Sequence, residues 1–213
     1  MRAQEIVTES RNHPVIVVDV QPAYCECTEL ETQETVCRKI VKFVGQQTGP
    51  VLMFFNADET GMTSDNIHSD IIPWWNDVLY EFDLDDLHWP SVEIVDKGFG
   101  YLRSWMDSGV NPAVIIRVIR EMYAQGVSSS IELYGGDDQP HYVDSMQGIT
   151  GKDLDPELLG DPLIVQWTSV AQLKRFSGAY LVGGARNECL RELELLMNAF
   201  NIRYRRIDSL VYG

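Results

Sequence analysis

Three residues far apart in the chain, Asp19, Lys97 and Cys189, are of the types that together carry out acyl transfer through a thioester. That chemistry needs a thiol nucleophile, a group to accept its proton, and donors that stabilise the tetrahedral oxyanion. A carboxylate can take the thiol proton and later activate water, while an ammonium beside both favours the thiolate. Taken singly, each has a plainer role. An Asp after a strand is commonly a cap or turn former, a loop Lys is commonly solvated, and a free Cys is commonly a small core residue.

What sets the three apart is where they fall. Val15-Ile16-Val17-Val18 is a β-branched run without alternation, as a strand buried on both faces requires, and Asp19 comes directly after it. Val51–Phe55 reads as a second buried strand and Val92–Val95 as a short third one, from which Lys97 exits. Ala179–Val182 is a further strand, broken by Gly183-Gly184 and continued by Ala185, Arg186, Asn187, Glu188 and Cys189. Asn187 suits a helix N-cap, which puts Cys189 in a first turn whose dipole stabilises a thiolate. In an open parallel sheet, ligands bind at the carboxyl edge of the strands, and all three residues are predicted there.

The connecting elements carry their own signals. Thr28 and Glu31 have capping-box spacing, and Val36, Ile40, Val41 and Val44 form one face of a helix ended by Gly49-Pro50. The stretch 59–70 is polar and reads as a loop at the active edge, with Trp74-Trp75 after it. Apolar Val114, Ile115, Val118, Ile119 and Met122 predict a helix over 112–125, stopped by Gly126. Residues 128–163 read as irregular, 167–176 as a helix capped by Thr168 or Ser169, and 202–207 as an alternating edge strand. The pattern is α/β, built on a mostly parallel sheet, with no repeat and no interdomain linker; one domain spanning 1–213 is the economical reading.

Composition narrows the partners. With 32 acidic against 17 basic residues the net charge is −15, which disfavours binding to nucleic acid and to anionic membrane surfaces. No apolar run reaches the length of a membrane span, and the polar start of the chain is not a signal peptide. Cys25, Cys27, Cys37 and Cys189 make a poor disulfide framework and lack zinc-finger spacing, so a reducing cytoplasm is expected, with no metal and no cofactor.

These residues resemble the isochorismatase-like cysteine hydrolases, the superfamily that includes nicotinamidases and related amidohydrolases. The family's hydrophobic-Asp-x-Gln pattern with an aromatic after it is similar to Val18-Asp19-Val20-Gln21 and Tyr24. Its Lys-aromatic-Ser-aromatic stretch is similar to Lys97, Phe99 or Tyr101, Ser104 and Trp105, and its Gly-x-Ala-x-x-x-Cys turn to Gly183 through Cys189. The resemblance implies a three-layer α-β-α Rossmann-like fold, a cis peptide between Gly184 and Ala185, and oxyanion donors at the N–H groups of Ala185 and Cys189. It also implies self-association into homo-oligomers and a small-molecule substrate.

The chain departs from the family in three places. The stretch between Lys97 and Cys189 is longer than usual, which places an insertion within about 106–168. Arg186-Asn187 replaces the usual Thr-Asp, and the nicotinamidase metal pattern is not met, since Glu59-Thr60 comes after Asn56-Ala57-Asp58 and His68 is the nearest imidazole.

The expected activity is hydrolysis of a small amide or related C–N bond. Cys189 is nucleophile, Asp19 the base and then acid, and Lys97 the charge-stabilising group, with Tyr24, Phe55, Phe99 and Trp105 as pocket walls. Arg186 is placed to select an anionic group on the substrate. The alternative is a noncatalytic protein that keeps this fold for binding a partner. A dinucleotide-binding domain is disfavoured because there is no Gly-x-Gly-x-x-Gly after the first strand.

Overall fold

The β-branched run Val15–Val18 forms β1, with all four residues buried, and it is the middle strand of the sheet that carries the candidate site. The computed structural model describes residues 11–25, 31–55, 71–85, 91–135, 139–151 and 162–213. Expectations on Thr28, on the polar loop 59–70 and on His68 lie outside the described residues. The described chain falls into two compact units, one of residues 1–97, 176–190 and 203–213 and the other of 98–175 and 191–202.

In the first unit, β1 is joined by β2 (Val51–Phe55), β3 (Val92–Asp96), β6 (Ala179–Gly183) and β7 (Tyr204–Val211) in the order β3-β2-β1-β6-β7. Every neighbouring pair is parallel. The α/β class and the parallel sheet expected from the strand runs are therefore present. Strand order reverses between β1 and β6, which makes this a topological switch point, the kind of place where open parallel sheets bind ligands. Helices α1 (Pro22–Cys25), α2 (Glu31–Gly45) and α3 (Ile72–Glu81) belong to this unit.

One face of the sheet presents Val15, Val17, Met53, Phe55 and Val182, which pack in a single cluster with Ile40, Val44, Trp75 and Leu79 of the helices. On the opposite face Ile16, Val18, Leu52, Phe54 and Leu181 are buried as fully, so the period-2 alternation of a half-exposed strand is missing for a physical reason. Fully burying one such side chain contributes about 1.5–3 kcal/mol, which makes this run the anchor of the unit. Trp75 is core, and its indole N–H donates to the Val20 carbonyl at 3.0 Å.

The second unit holds the two-residue strands β4 (Phe99–Gly100) and β5 (Ile164–Val165), paired antiparallel, and helices α4 (Leu102–Asp107), α5 (Pro112–Gln125), α6 (Ser130–Tyr134), α7 (Gln139–Thr150) and α8 (Trp167–Arg175). Helix α5 has the bounds expected from its apolar stripe. Asn111 caps it by accepting the Ala113 N–H at 2.9 Å, and Gly126 ends it at φ +71°. The stretch 128–163 is more regular than its turn-rich sequence suggests. Ser129 caps α6, and Ser130, buried, ties the segment together through Tyr142 at 2.6 Å and the Leu163 N–H at 2.9 Å. Thr168 and Ser169 lie inside α8 rather than capping it.

Cys25 and Cys37 form a disulfide between α1 and α2, contrary to the expectation of reduced thiols. Their Cα atoms lie 6.0 Å apart, a proximity that spacing alone does not reveal. Reduced cysteines were one of the grounds for expecting a cytoplasmic protein, and that ground is removed. With 12 residues of separation, closing the loop stabilises the fold by about 2–3 kcal/mol. Non-reducing peptide mapping should therefore recover a Cys25–Cys37 cross-linked peptide, and reductant should lower the denaturant midpoint accordingly. Recovery of both cysteines as free thiols, with an unchanged midpoint, would contradict the pairing.

Candidate functional site

Because the strands of the sheet run parallel, the exits of β1, β3 and β6 share one edge, and these exits carry Asp19, Lys97 and the turn to Cys189. Asp19 is held by its backbone. Its N–H donates to the Phe54 carbonyl at 2.9 Å, and its own carbonyl accepts from the Gln21 N–H at 3.1 Å and the Tyr212 hydroxyl at 2.7 Å. Its φ of +53° is left-handed, a region Asp tolerates better than most residues but which still costs about 1 kcal/mol. The side chain is 1% exposed. Lys97 is also buried, at 7%, and its N–H continues the β2–β3 ladder by donating to the Phe55 carbonyl at 3.0 Å. Strands lie about 4.8 Å apart, so a residue two strands from β1 needs a long stem to reach that strand's exit, as lysine has.

On β6, Gly183 sits at φ +116°, and a Cβ there would lie 2.1 Å from the Val18 carbonyl oxygen. Glycine is obligatory at this point, since β1 and β6 could not otherwise approach at the switch point. The Gly184–Ala185 peptide is cis, as the resemblance implies. Ala185 then accepts from the N–H groups of Glu188 at 3.0 Å and Leu190 at 3.2 Å, while the Arg186 N–H donates to Tyr212. Helix α9 (Cys189–Ala199) begins at the cysteine itself, so Asn187 lies in the preceding turn rather than at the N-cap.

The Cys189 thiol, half-buried and outside any disulfide, lies close enough to the Asp19 carboxylate and the Lys97 ammonium for both charges to act on it. The three side chains therefore meet. Their electrostatics run against the sequence-based expectation of a depressed thiol. Burial pushes the Cys189 thiol up to about 12, the Asp19 charge adds to the rise, and Lys97 opposes it only in part. Desolvation of the thiolate is the largest cause of the rise. A thiol raised this far keeps its proton at neutral pH.

The other residues singled out from sequence divide by unit. Phe55 is the buried last residue of β2, and Tyr24, half-buried on α1, acts electrostatically on Tyr212. Phe99 and Trp105 are buried in the second unit. Arg186 pairs with Asp208 at 3.5 Å and donates to its carbonyl at 3.3 Å, so its guanidinium is engaged on β7. Sequence reasoning missed Tyr212, which is 4% exposed and whose ionisation is opposed by burial and by the charges of Asp19 and Cys189. The apolar run Leu210-Val211-Tyr212, extending the strand beyond 207, was the available signal.

Among the described residues, no group of three or more His, Cys, Asp or Glu could hold a metal ion, and no helix is long and apolar enough to cross a membrane. No protein-family profile matches the chain, and neither curated proteins nor solved structures yield a match.

The raised thiol has consequences for reactivity and for stability. Alkylation of Cys189 by iodoacetamide should climb continuously from about pH 6 to about pH 10, because the thiolate alone reacts. A plateau beginning at mildly acidic pH would contradict the burial argument. Cys189 and Tyr212 both hold their protons more tightly folded than unfolded, so the stability they contribute is complete below their unfolded values. It drains away as pH rises through the folded ones. Denaturation midpoints should fall with rising pH above about 9, and less steeply in Cys189→Ala.

Proposed function

We propose that this protein is a cysteine hydrolase of a small amide or related C–N bond, an outlying member of the isochorismatase-like superfamily with that family's three-layer arrangement. The single observation that carries the reading is the meeting of the Asp19 carboxylate, the Lys97 ammonium and the Cys189 thiol at the switch-point edge, beside the cis Gly184–Ala185 turn.

The chemistry is set by the protonation state. As the substrate carbonyl approaches, the thiol proton passes to Asp19 and the sulfur bonds to the carbonyl carbon. The oxyanion that forms is met by the N–H groups of Ala185 and Cys189 and by the positive field of Lys97. Asp19 returns the proton to the departing nitrogen, the C–N bond breaks, and an amine leaves a thioester on Cys189. Asp19 then takes a proton from water, whose oxygen attacks the thioester, and collapse releases the acid and restores the thiol. A thiol that is neutral at rest suits this scheme, since charge separation occurs only when an electrophile is in place. The substrate is a small molecule, and the active form is a homo-oligomer.

One observation favours a second reading, a noncatalytic binding protein on the same scaffold: a thiol raised to about 12 is a poor resting nucleophile. Ammonia release from a panel of small primary amides, with intact-mass detection of an acyl adduct, separates the two. The hydrolase reading expects turnover, an adduct confined to Cys189, and a loss of at least about 100-fold in Asp19→Asn and in Lys97→Met. Turnover that survives in Cys189→Ala would overturn it, and complete silence of the panel, with no adduct, would favour the binding protein.

A further inference from the structure

The last turn of the chain does more than end a strand. Between β6 and β7 the register slips: Leu181 faces Arg206, but Gly183 faces Val211, so the intervening residues of β7 bulge outward. Arg206 and Arg186 both close on Asp208 within that bulge, at 2.8 Å and 3.5 Å. A bulge at a sheet edge re-aims the residues beyond it, and here those residues include Tyr212. Its N–H donates to the Gly183 carbonyl at 3.1 Å, and its carbonyl accepts from the Arg186 N–H at 2.8 Å. These two bonds bracket the cis turn on both sides. The ring fills the space above Gly184, where a Cβ would lie 2.6 Å from it, and a Cβ on Gly213 would lie 2.6 Å from that of Ala185. From that seat the hydroxyl crosses to β1 and donates to the Asp19 carbonyl at 2.7 Å in a buried bond.

We infer that Tyr212 is a positioning residue that couples the two halves of the site, fixing the left-handed backbone of Asp19 against the Gly183–Arg186 turn. The inference rests on the reading of Asp19 and Cys189 as base and nucleophile. Asp19 departs from β geometry at the residue that must deliver its carboxylate to the thiol, and its carbonyl is bonded to the side chain that clamps the oxyanion turn. The groups that act electrostatically on the phenol are Asp19, Cys189, Tyr24 and Glu188, so the hydroxyl lies among the reacting side chains while itself held as a neutral donor. Removing it lets the carboxylate swing from the sulfur. The thiol then loses part of the repulsion that suppresses its ionisation.

The test is a double-mutant cycle read by iodoacetamide alkylation of Cys189 at about pH 8, with circular dichroism confirming a native fold in every variant. Asp19→Asn should react faster than wild type, since the charge opposing the thiolate is gone. Tyr212→Phe should also react faster, by about threefold or more, and Asp19→Asn with Tyr212→Phe should match Asp19→Asn alone within about twofold. Equal rates in Tyr212→Phe and wild type would overturn the inference, as would effects that simply multiply in the double variant. An Asp19→Asn rate equal to wild type would remove the base–nucleophile reading itself, and this inference with it. If Tyr212→Phe does not fold, carbon-13 spectra of ring-labelled tyrosine in the wild-type protein decide. One resonance should stay un-ionised beyond the ordinary tyrosine range and should shift on alkylation of Cys189, and its absence overturns the proposal.

Discussion

Burying a carboxylate, an ammonium and a thiol at one edge is the constraint on which the site depends. A lone charge taken out of water costs several kcal/mol, and the cost is offset only when an opposite charge is held in good geometry beside it. Asp19 and Lys97 are both nearly inaccessible, and the Cys189 sulfur lies within reach of each. Asp19 reaches this edge with a left-handed backbone, and Lys97 reaches it from a strand two removed from β1.

The sheet supplies the geometry. Parallel strands bring every exit to one edge, and the order reverses between β1 and β6, the place where sheets of this kind bind ligands. Gly183 makes the close approach of those two strands possible, and the Asp19 backbone is tied on three sides, to β2, to its own turn and to Tyr212. Such over-determination is what keeps a sparsely populated backbone conformation in place. The helix that starts at Cys189 sets the sulfur at the end of this assembly, and burial raises its thiol.

Much of this was legible in the residues. Uninterrupted runs such as Val15–Val18 and Val51–Phe55 can hardly be anything but strands buried on both faces, and a polar residue directly after such a run has to lie at its exit. Helix α5 carried its own punctuation in Asn111, Pro112 and Gly126. The failures share a cause: they depend on what lies opposite in space. The Cys25–Cys37 pairing depends on α1 and α2 lying side by side, and helices α6 and α7 are secured by Ser130 and Tyr142 rather than by strong propensity. Tyr212 joins the site through a bulge that no periodicity announces. The sign of the thiol shift depended on how deeply the sulfur is buried, and a motif at the start of a helix carries no information about depth.

The most direct test of the meeting of these three groups is the titration of Cys189, monitored by the carbon-13 shift of its β-carbon in wild type, Asp19→Asn and Lys97→Met. The thiol should stay protonated through neutral pH, with a midpoint that falls when the carboxylate charge is removed and rises when the ammonium is removed. Midpoints that are the same in all three proteins would show that the sulfur feels neither charge, and would contradict the site described here.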